Sequence, residues 1–380
     1  MHQPGLNFSV LIPDSDDHKL LSLQVINCFS NLKNVKIFIL SSERNSFLRY
    51  SFSVHRFIYL PHESDLEWFQ NIDKTVKKFS IDIILPVFEI GIEKILEHKA
   101  SLKEVGKLCP LPSLANFQKA IDKGILYNHL KQNNLPCPQS EVIKPNSYPE
   151  NIDLKFPIIA KPVKGFGGGM GIRVLYNQKD IQIYYHDKKF SCDTILQEYI
   201  NGYDICCNVL CERGEIMAYT IQKAGIFNNN GLEPLSVFNF VEDQELLEVL
   251  KKLMKSLNWS GVANIDFRYD EDQQIFKVIE LNPRFWRNVD ASEVTGVNFP
   301  YLCILATLNQ KFDLQTAKQI DFVDLKGLVK KLLKNPMLVF NITYLRNNST
   351  LFFALRDPLP MIYKFIWRSK NIIVSKFKRN

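Results

Sequence analysis

The densest group of chemically useful side chains is predicted on one β-hairpin. Residues 263–269 alternate between apolar and polar side chains, a turn-rich DEDQQ follows, and residues 275–281 suit a buried returning strand. Asp266 on the first strand then lies roughly opposite Glu280 and Asn282 on the second. Mg²⁺ prefers a few such oxygen donors and leaves its other positions to water and phosphate. The hairpin therefore predicts a magnesium site, with a polar hairpin end and solvated charges as the alternative.

Two arginines, Arg284 and Arg287, follow these residues in the sequence. A guanidinium group holds phosphoryl or carboxylate oxygens through forked hydrogen bonds. Next to a metal site, the arginines indicate chemistry on a phosphoryl group or a carboxylate.

A glycine-rich loop provides the second chemical signal. A buried strand ends at Lys161, five glycines fall within residues 165–171, and a second strand begins at residue 172. Glycine lets the backbone approach a phosphate closely and turn its N–H groups toward it, and lysine adds positive charge. The loop joins two strands, so it differs from the Walker type, which requires a following helix. It predicts a phosphate-binding flap, with a glycine-rich hairpin tip that binds nothing as the alternative.

The composition is that of an ordinary soluble protein. The 380 residues, 46% of them apolar, predict a sizeable core and two or three domains. The start of the chain has no basic segment followed by an apolar run, so no secretory signal is predicted. The eight cysteines form no CxxC pair, and Cys206, Cys207 and Cys211 suit a strand better than a metal site. We expect a cytoplasmic protein.

The first hundred residues alternate strands with helices, which predicts a parallel sheet covered on both faces. Glu89 follows the third strand, where ligands enter such sheets, and it suits either a substrate contact or a helix start. No glycine fingerprint follows the first strand, so a dinucleotide site is not expected. The predicted strands are 8–12, 35–40 and 81–87, and the predicted helices are 18–29, 66–79 and 92–98.

A further helix is predicted over residues 116–132. It carries Lys123, which could bind a nucleotide phosphate or could simply be solvated. Prolines on both sides of this helix separate it from its neighbours.

The order and spacing of five motifs resemble the ATP-grasp superfamily. The motifs are Lys123, Lys161 before the glycine loop, QEYI with Gly202 and Asp204, NIDF, and ELNPR. The likeness covers residues 111–308 and is closest to carboxylate–amine ligases and to carbamoyl-phosphate-synthase-like members. The resemblance implies a two-lobed α+β ATP-grasp fold. With the alternating strands and helices before it and the basic segment after it, the prediction is an α/β chain with a parallel-sheet domain, the ATP-grasp fold and a basic helical tail. The implied boundaries are 1–112, 113–312 with lobes meeting near residue 198, and 313–380.

The resemblance also implies roles for individual residues. ATP phosphates would be bound by two lysines and covered by the glycine flap, adenine and ribose by the segment after QEYI, and Mg²⁺, or Mn²⁺ in its place, by the hairpin. The implied nucleotide-binding residues are Lys123, Lys161, Gly167, Gly168, Gly169, Glu198, Tyr199, Ile200 and Asp204; the metal ligands are Asp266, Glu280 and Asn282. Arg284 and Arg287 would stabilise the phosphoryl group, and Lys223 would contact the substrate carboxylate.

Two positions depart from the family pattern. Asp204 stands where relatives more often have glutamate, which shortens the reach to the ribose by one methylene. Trp286 replaces a small residue after NPR, and we expect it to narrow the acceptor pocket.

The implied activity is ATP-dependent ligation of a small carboxylate to an amine through an acyl phosphate. The alternatives are a carboxyphosphate-forming enzyme that uses bicarbonate and a non-catalytic nucleotide-sensing module at a membrane complex. The three intact metal ligands favour an enzyme.

The last 55 residues are strongly basic. Residues 326–380 have 12 Lys and Arg and one acid, Asp357, whereas 35 basic and 39 acidic residues precede them. An amphipathic, aromatic tail of this kind could lie on an anionic membrane or pack on the body or a partner subunit, for example in a homodimer, and packing is favoured. No nucleic-acid-binding motif accompanies the charge, so nucleic acid is not an expected partner.

Overall fold

The computed structural model describes residues 7–165, 171–187, 190–224 and 237–367. The chain forms two compact units. Unit one consists of residues 1–111, 284–314 and 322–380, and unit two consists of residues 112–283 and 315–321. The predicted boundaries at residues 112 and 312 stay a prediction.

Unit one begins with alternating strands and helices, as the sequence predicts. The elements are β1 (Phe8–Ile12), α1 (Lys19–Asn27), β2 (Val35–Ser41), β3 (Val54–Tyr59), α2 (Asp65–Phe79), β4 (Ile83–Ile84) and α3 (Glu89–Glu97). Short 3₁₀ helices lie at Phe47–Tyr50, Lys99–Ser101 and Val105–Lys107.

Unit two contains most of the remaining strands. The elements are α4 (Leu114–Ile121), α5 (Lys123–Gln132), β5 (Ser140–Ile143), β6 (Ile158–Pro162), β7 (Arg173–Leu175), α6 (Gln178–His186), β8 (Thr194–Glu198), β9 (Gly202–Glu212), β10 (Glu215–Ala224), β11 (Val237–Val241), α7 (Gln244–Ser256), β12 (Gly261–Asp270) and β13 (Ile275–Asn282).

The chain then returns to unit one. The elements are α8 (Val289–Val294), α9 (Phe299–Thr307), β14 (Asp321–Val323, which begins in unit two), α10 (Leu325–Lys334), a 3₁₀ helix at Pro336–Phe340, α11 (Ile342–Asn347) and α12 (Leu351–Arg356). Residues 359–367 are also helical. Every helix among the described residues is too short or too polar to span a bilayer.

The sheet of unit one is parallel, with strand order β3-β2-β1-β4. The prediction of a parallel sheet is confirmed, but the sequence missed β3 and assigned a longer run to β4. In β3 no residue is buried, because the strand lies at the edge of the sheet. Its sequence therefore lacks the apolar run by which the buried strands are recognised.

Unit two contains two largely antiparallel sheets. The smaller sheet has the order β5-β8-β6-β7, and its antiparallel β6–β7 pair flanks the glycine loop as predicted. In the larger sheet the strands run β13-β12-β9-β10-β11, and Phe240 N–H extends the edge by donating to Ile320 O at 2.9 Å. The helix α7 buries Leu246, Leu250 and Leu253 against one face of this sheet.

The predicted helix over residues 116–132 is wrong in one respect, because the structure divides it into α4 and α5. Asp122 stands between them with extended backbone angles, and its Oδ1 accepts hydrogen bonds from the N–H groups of Gly124 and Ile125. An aspartate in this position caps a new helix. Lys123 is consequently the first residue of α5 and does not lie in the middle of a helix.

Candidate active site

The β12–β13 hairpin places two carboxylates opposite each other. Phe267 pairs with Val278, but the next pair is Asp266 with Glu280, so Ile279 is an extra residue in β13. Without this β-bulge, strict alternation would turn Glu280 to the opposite, core-facing side of the sheet. The bulge therefore brings Glu280 onto the same face as Asp266, in agreement with the predicted pairing.

A chain of side-chain hydrogen bonds crosses four strands and orients Asn282. The Asn282 amide nitrogen lies 3.4 Å from Asp266 Oδ2 and 3.3 Å from Asn264 Oδ1. Asn264 Nδ2 donates to Asn208 Oδ1 at 2.9 Å, and Asn208 Nδ2 donates to Thr220 Oγ1 at 3.0 Å. The direction of this chain commits the nitrogen of Asn282 to protein acceptors. Its oxygen Oδ1 is thereby presented as a ligand.

Two lysines from other elements stand beside these carboxylates. Lys123 Nζ lies 3.3 Å from Glu280 Oε2. Lys161, on β6, is 5% exposed. Burial is the main cause that lowers the pKa of Lys161; Glu280 and Asp266 oppose it, Lys123 adds to it, and the net pKa is about 8. A buried ammonium group of this kind gains from a bound anion, because the anion replaces the lost hydration.

The donor set fits a hard divalent cation. Among the described residues, no group of three or more His, Cys, Asp or Glu side chains could hold a metal ion, so the Asp266 and Glu280 carboxylates need a different third donor. The oxygen of Asn282 would supply it, and all three donors would then be oxygen, which Mg²⁺ prefers. The predicted ligand roles stay a prediction that this geometry supports.

The structure adds a residue that the sequence reasoning missed. Lys277, on β13, is buried, and its Nζ lies 2.6 Å from Glu198 Oε1 and 2.9 Å from Asp270 Oδ2. Burial lowers the pKa of Lys277, but the bonds to Glu198 and Asp270 outweigh it and leave the pKa above its usual value. The sequence did contain a signal for this residue, because a lysine inside the apolar run of residues 275–281 requires a buried partner of opposite charge. Its pairing holds Glu198 at the end of β8.

The backbone after Glu198 is also held in place. Tyr199 N–H donates to Pro157 O at 3.3 Å, and Arg268 Nε donates to Ile200 O at 2.7 Å. The Tyr199 carbonyl and the Ile200 N–H take no part in these two bonds. The adenine contacts that the resemblance implies for this backbone stay a prediction.

Arg268 also holds the predicted ribose residue. Arg268 and Asp204 are register partners on β12 and β9, and the Arg268 guanidinium contacts Asp204 Oδ1 at 2.7 Å and Gly202 O at 2.9 Å. Gly202 has a φ of +151°, and a Cβ at this position would lie 1.8 Å from Tyr269 O. Only glycine allows this close approach, so the glycine of the predicted motif has a structural reason.

Two other predicted groups are Lys223 and the glycines of the flap. Lys223, on β10, places its Nζ 3.6 Å from the ring centre of Tyr203, a cation–π contact that leaves its predicted role in carboxylate binding untested. The predicted flap residues Gly167, Gly168 and Gly169 lie outside the described residues.

The two predicted catalytic arginines belong to unit one. Arg284 Nε lies 3.0 Å from Glu89 Oε1, and its guanidinium group is 5.4 Å from the ring centre of Phe88. Glu89 begins α3 and so combines a helix start with an arginine contact. Burial lowers the pKa of His18, and the positive charges of Arg284 and Arg287 lower it further. Arg284 is thus paired with Glu89, and both arginines lie close enough to His18 to affect its pKa.

The expectation for Trp286 is wrong. Its side chain is buried, and its ring packs edge-to-face against Phe299 at 4.8 Å between centroids. An indole in this position fills the core of unit one, where its large apolar area stabilises the fold.

Comparison with known proteins places this geometry in a family. Residues 191–327 match the family described as "ATP-grasp in the biosynthetic pathway with Ter operon". This segment includes Glu198, Asp204, the hairpin and both arginines, whereas Lys123 and Lys161 precede it.

Two characterised relatives match about half of the chain. A carbamoyl-phosphate synthase from Methanobrevibacter smithii is 25% identical over 217 residues, which cover 54% of this chain and 58% of the relative. A D-aspartate ligase from Enterococcus faecium is 23% identical over 233 residues, which cover 54% of each chain. The chain thus spans little more than half the length of these relatives.

The fold extends beyond the region of sequence similarity. The structure of N5-carboxyaminoimidazole synthetase from Staphylococcus aureus, solved with ADP, superposes with a TM-score of 0.65 at 17% identity and covers 87% of each chain. The family match, the relatives and the fold agree with the motif order in the sequence. Residues 191–327 therefore match an ATP-grasp family, and the chain as a whole has a fold similar to that of the synthetase.

Proposed function

We propose that this chain is an ATP- and Mg²⁺-dependent ligase that activates a carboxylate as an acyl phosphate and joins it to an amine. The observation that carries the proposal is the buried Lys161 beside the opposed carboxylates of Asp266 and Glu280. This combination suits a triphosphate with its metal ion, because the lysine needs an anion and the carboxylates need a cation.

The reaction follows from the charges of the reacting groups. A substrate carboxylate oxygen attacks the γ-phosphorus of ATP, the bond from phosphorus to the β,γ-bridging oxygen breaks, and ADP leaves. The amine nitrogen then attacks the acyl carbon, phosphate leaves, and the nitrogen loses a proton to give the amide. When bound, Mg²⁺ would neutralise the charge on the phosphoryl oxygens.

The residues of this chain bind and orient the reactants. Lys123 and Lys161 hold phosphate oxygens, and Asp266, Glu280 and Asn282 hold the metal. Arg284 and Arg287 stabilise the transferring phosphoryl group, as the resemblance implies, and Lys223 contacts the substrate carboxylate. The resemblance assigns to residues 167–169, which lie outside the described residues, the role of keeping water from the acyl phosphate.

The nucleotide base and ribose are assigned to the segment after β8. The Tyr199 carbonyl and the Ile200 N–H bind adenine, and Glu198, held by Lys277, lies at the end of the same strand. Asp204 binds the ribose hydroxyls, and its pairing with Arg268 limits the rotation of its carboxylate.

The comparisons support a ligase as the class of enzyme. The D-aspartate ligase shares 23% of its aligned residues with this chain, and the ATP-grasp fold was solved with ADP in the synthetase from Staphylococcus aureus. We infer small-molecule carboxylate and amine substrates, with Mn²⁺ able to replace Mg²⁺.

Oxygen transfer from the substrate provides the sharpest test. Pools of amino acids and small carboxylates with ¹⁸O in the carboxylate are incubated with ATP, Mg²⁺ and a pool of amines, and released phosphate is analysed by mass spectrometry. The proposal expects one labelled oxygen in phosphate and one amide formed per ADP. Glu280→Gln provides the inactive control.

Two other results would contradict the proposal. ADP release that requires bicarbonate and no other carboxylate indicates a carboxyphosphate-forming enzyme. Tight ATP binding without ADP release from any pool indicates a nucleotide-sensing module.

A further inference from the structure

The helix α10 leaves part of its apolar surface uncovered. Leu328 is buried against unit one, but Val329 and Leu333, one turn apart on a neighbouring face, are exposed, and 80% of the Leu333 surface is accessible. The 3₁₀ helix that follows packs against α10 and exposes Met337 and Phe340, the latter at 74%. Large apolar side chains with this exposure are unusual in a row on a monomer.

The helical residues 359–367 repeat this arrangement. Tyr363 lies on the covered side, where its ring packs 4.4 Å from the ring of Tyr50. The exposed side carries four large apolar residues at helical spacing, namely Met361, Ile362, Phe365 and Ile366. One face of this helix is therefore anchored to unit one while the other is apolar and open to solvent.

The charged residues of the same segment are almost all basic. Residues 325–367 contain seven Lys and Arg, four of which fall within α10, and their one acid is Asp357. The Asp357 carboxylate is itself buried and accepts hydrogen bonds from Ser51 Oγ and Phe52 N–H. Within residues 325–367, the exposed apolar residues are thus accompanied by Lys and Arg residues and by no exposed acid.

We propose that the surface formed by α10, the 3₁₀ helix and residues 359–367, here called the basic tail surface, binds an anionic lipid bilayer. Lysines beside exposed Leu, Met, Phe and Trp side chains suit this partner, because headgroups neutralise the lysines while the apolar side chains enter the boundary with the acyl chains. A second copy of the chain fits less well, since a symmetric contact would bring like charges together. The membrane is contacted peripherally.

Vesicle cosedimentation with the full chain tests the proposal. Vesicles of phosphatidylcholine alone are compared with vesicles containing 30 mol% phosphatidylserine, about the anionic content of a cytoplasmic leaflet. We expect binding only to the anionic vesicles, and weakening by salt as exposed charges are screened. The double variant Lys330→Gln/Lys334→Gln should weaken binding about 30-fold, since each basic residue near the surface contributes roughly fivefold.

Matched variants separate this surface from general charge and hydrophobicity. Lys74→Gln/Lys77→Gln removes the same charge from exposed positions of α2 and should bind as the unaltered chain does. Leu333→Ser/Phe340→Ser and Phe365→Ser/Ile366→Ser should each weaken binding about 10-fold or more. Leu66→Ser/Ile183→Ser, at exposed sites elsewhere, should leave it unchanged. All of these positions are exposed, so the variants are expected to fold.

Three outcomes would overturn the proposal. The first is equal binding to neutral and anionic vesicles. The second is that Lys74→Gln/Lys77→Gln weakens binding as much as Lys330→Gln/Lys334→Gln does. The third is no vesicle binding together with a concentration-dependent dimer that Leu333→Ser/Phe340→Ser dissociates in analytical ultracentrifugation. The last result would assign the surface to contact between copies. None of these measurements depends on the proposed ligase activity.

Discussion

Asp266 and Glu280 are register partners on adjacent antiparallel strands, so two carboxylates face each other across β12 and β13. Like charges directly opposite each other destabilise a sheet. The pair is tolerated because Lys123 contacts Glu280 and the buried Lys161 adds a second positive charge. Four charges of mixed sign at one place suit a metal–triphosphate complex, which carries both signs itself.

Glu280→Gln should lower ADP release by about 100-fold or more, because the substitution removes one negative charge from the metal-binding set. Mn²⁺ binding, followed by electron paramagnetic resonance, should weaken in parallel. The Glu280 side chain is partly exposed, so the midpoint of thermal unfolding should stay nearly unchanged. Glu271→Gln, on the exposed turn after β12, is the control. Normal ADP release by Glu280→Gln would remove the metal assignment.

Lys161→Met should stabilise the protein while abolishing nucleotide binding. A pKa lowered from 10.5 to about 8 means that the charged lysine costs the folded state about 3 kcal/mol. Removing the charge should raise the free energy of unfolding by about 1–3 kcal/mol in urea titrations at pH 7. ADP affinity, measured by calorimetry, should fall at least about 10-fold. Lys164→Met at a neighbouring exposed position should change neither quantity, and a destabilised Lys161→Met that still binds ADP would contradict the assignment.

The affinity for ADP should fall as the pH rises above about 8, because Lys161 loses its charge there. The free energy of unfolding should change in the opposite direction. Between about pH 8 and 10.5 the unfolded chain binds more protons at this lysine than the folded chain does. The destabilisation caused by Lys161 therefore decreases as the pH rises. Calorimetric titrations between pH 7.5 and 9.5 would measure the affinity. Lys161→Arg, which stays charged, should flatten the profile. A profile that is equally steep in this variant would assign the titration to another group.

Asn208→Leu should weaken metal binding although Asn208 is two hydrogen bonds away from Asn282. The substitution leaves Asn264 Nδ2 without its acceptor, so the amide of Asn282 loses its fixed orientation. Residues that support metal ligands typically contribute 10- to 100-fold to metal affinity. Mn²⁺ titration should show a loss of about 10-fold. Thr220→Val, which shortens the chain at its far end, should show a smaller loss. Unchanged Mn²⁺ affinity in a merely destabilised Asn208→Leu would assign the chain a structural role only.

Lys277→Met should destabilise unit two by about 3–5 kcal/mol, because it leaves two partly or fully buried carboxylates without their shared partner. Its effect should shrink in the double variant Lys277→Met/Asp270→Asn, in which one of these charges is also removed. Urea titrations of the single and double variants measure this coupling. If the changes in free energy of unfolding caused by Lys277→Met and Asp270→Asn sum to that of the double variant, the three side chains do not act as one cluster.

The hairpin and its chemistry were accessible to sequence reasoning. Alternating residues before DEDQQ and an apolar run after it predict two paired strands, and the structure confirms the pairing of Asp266 with Glu280. The parallel sheet of unit one and the strand-to-strand glycine loop were predicted equally well. Periodicity is a local property, and each of these features is encoded within one or two neighbouring segments.

Other features could not be predicted because their cause lies elsewhere in the chain. The edge strand β3 has no buried residue and hence no apolar run. The break between α4 and α5 depends on the capping bonds of Asp122, which compete closely with an uninterrupted helix. Lys277 looks like a misplaced charge until Glu198, about 80 residues earlier, is brought to 2.6 Å from it.

The sequence by itself determined which residue types are present, their order along the chain, and therefore the resemblance to ATP-grasp proteins. Only the tertiary structure decided that Ile279 is an extra residue that turns Glu280 toward Asp266, that Asn264, Asn208 and Thr220 on three other strands orient the Asn282 amide, and that Lys161 is buried. Strand register, burial and hydrogen-bond direction depend on segments distant in sequence. Their free energies are set by neighbours that exist only once the sheets have formed.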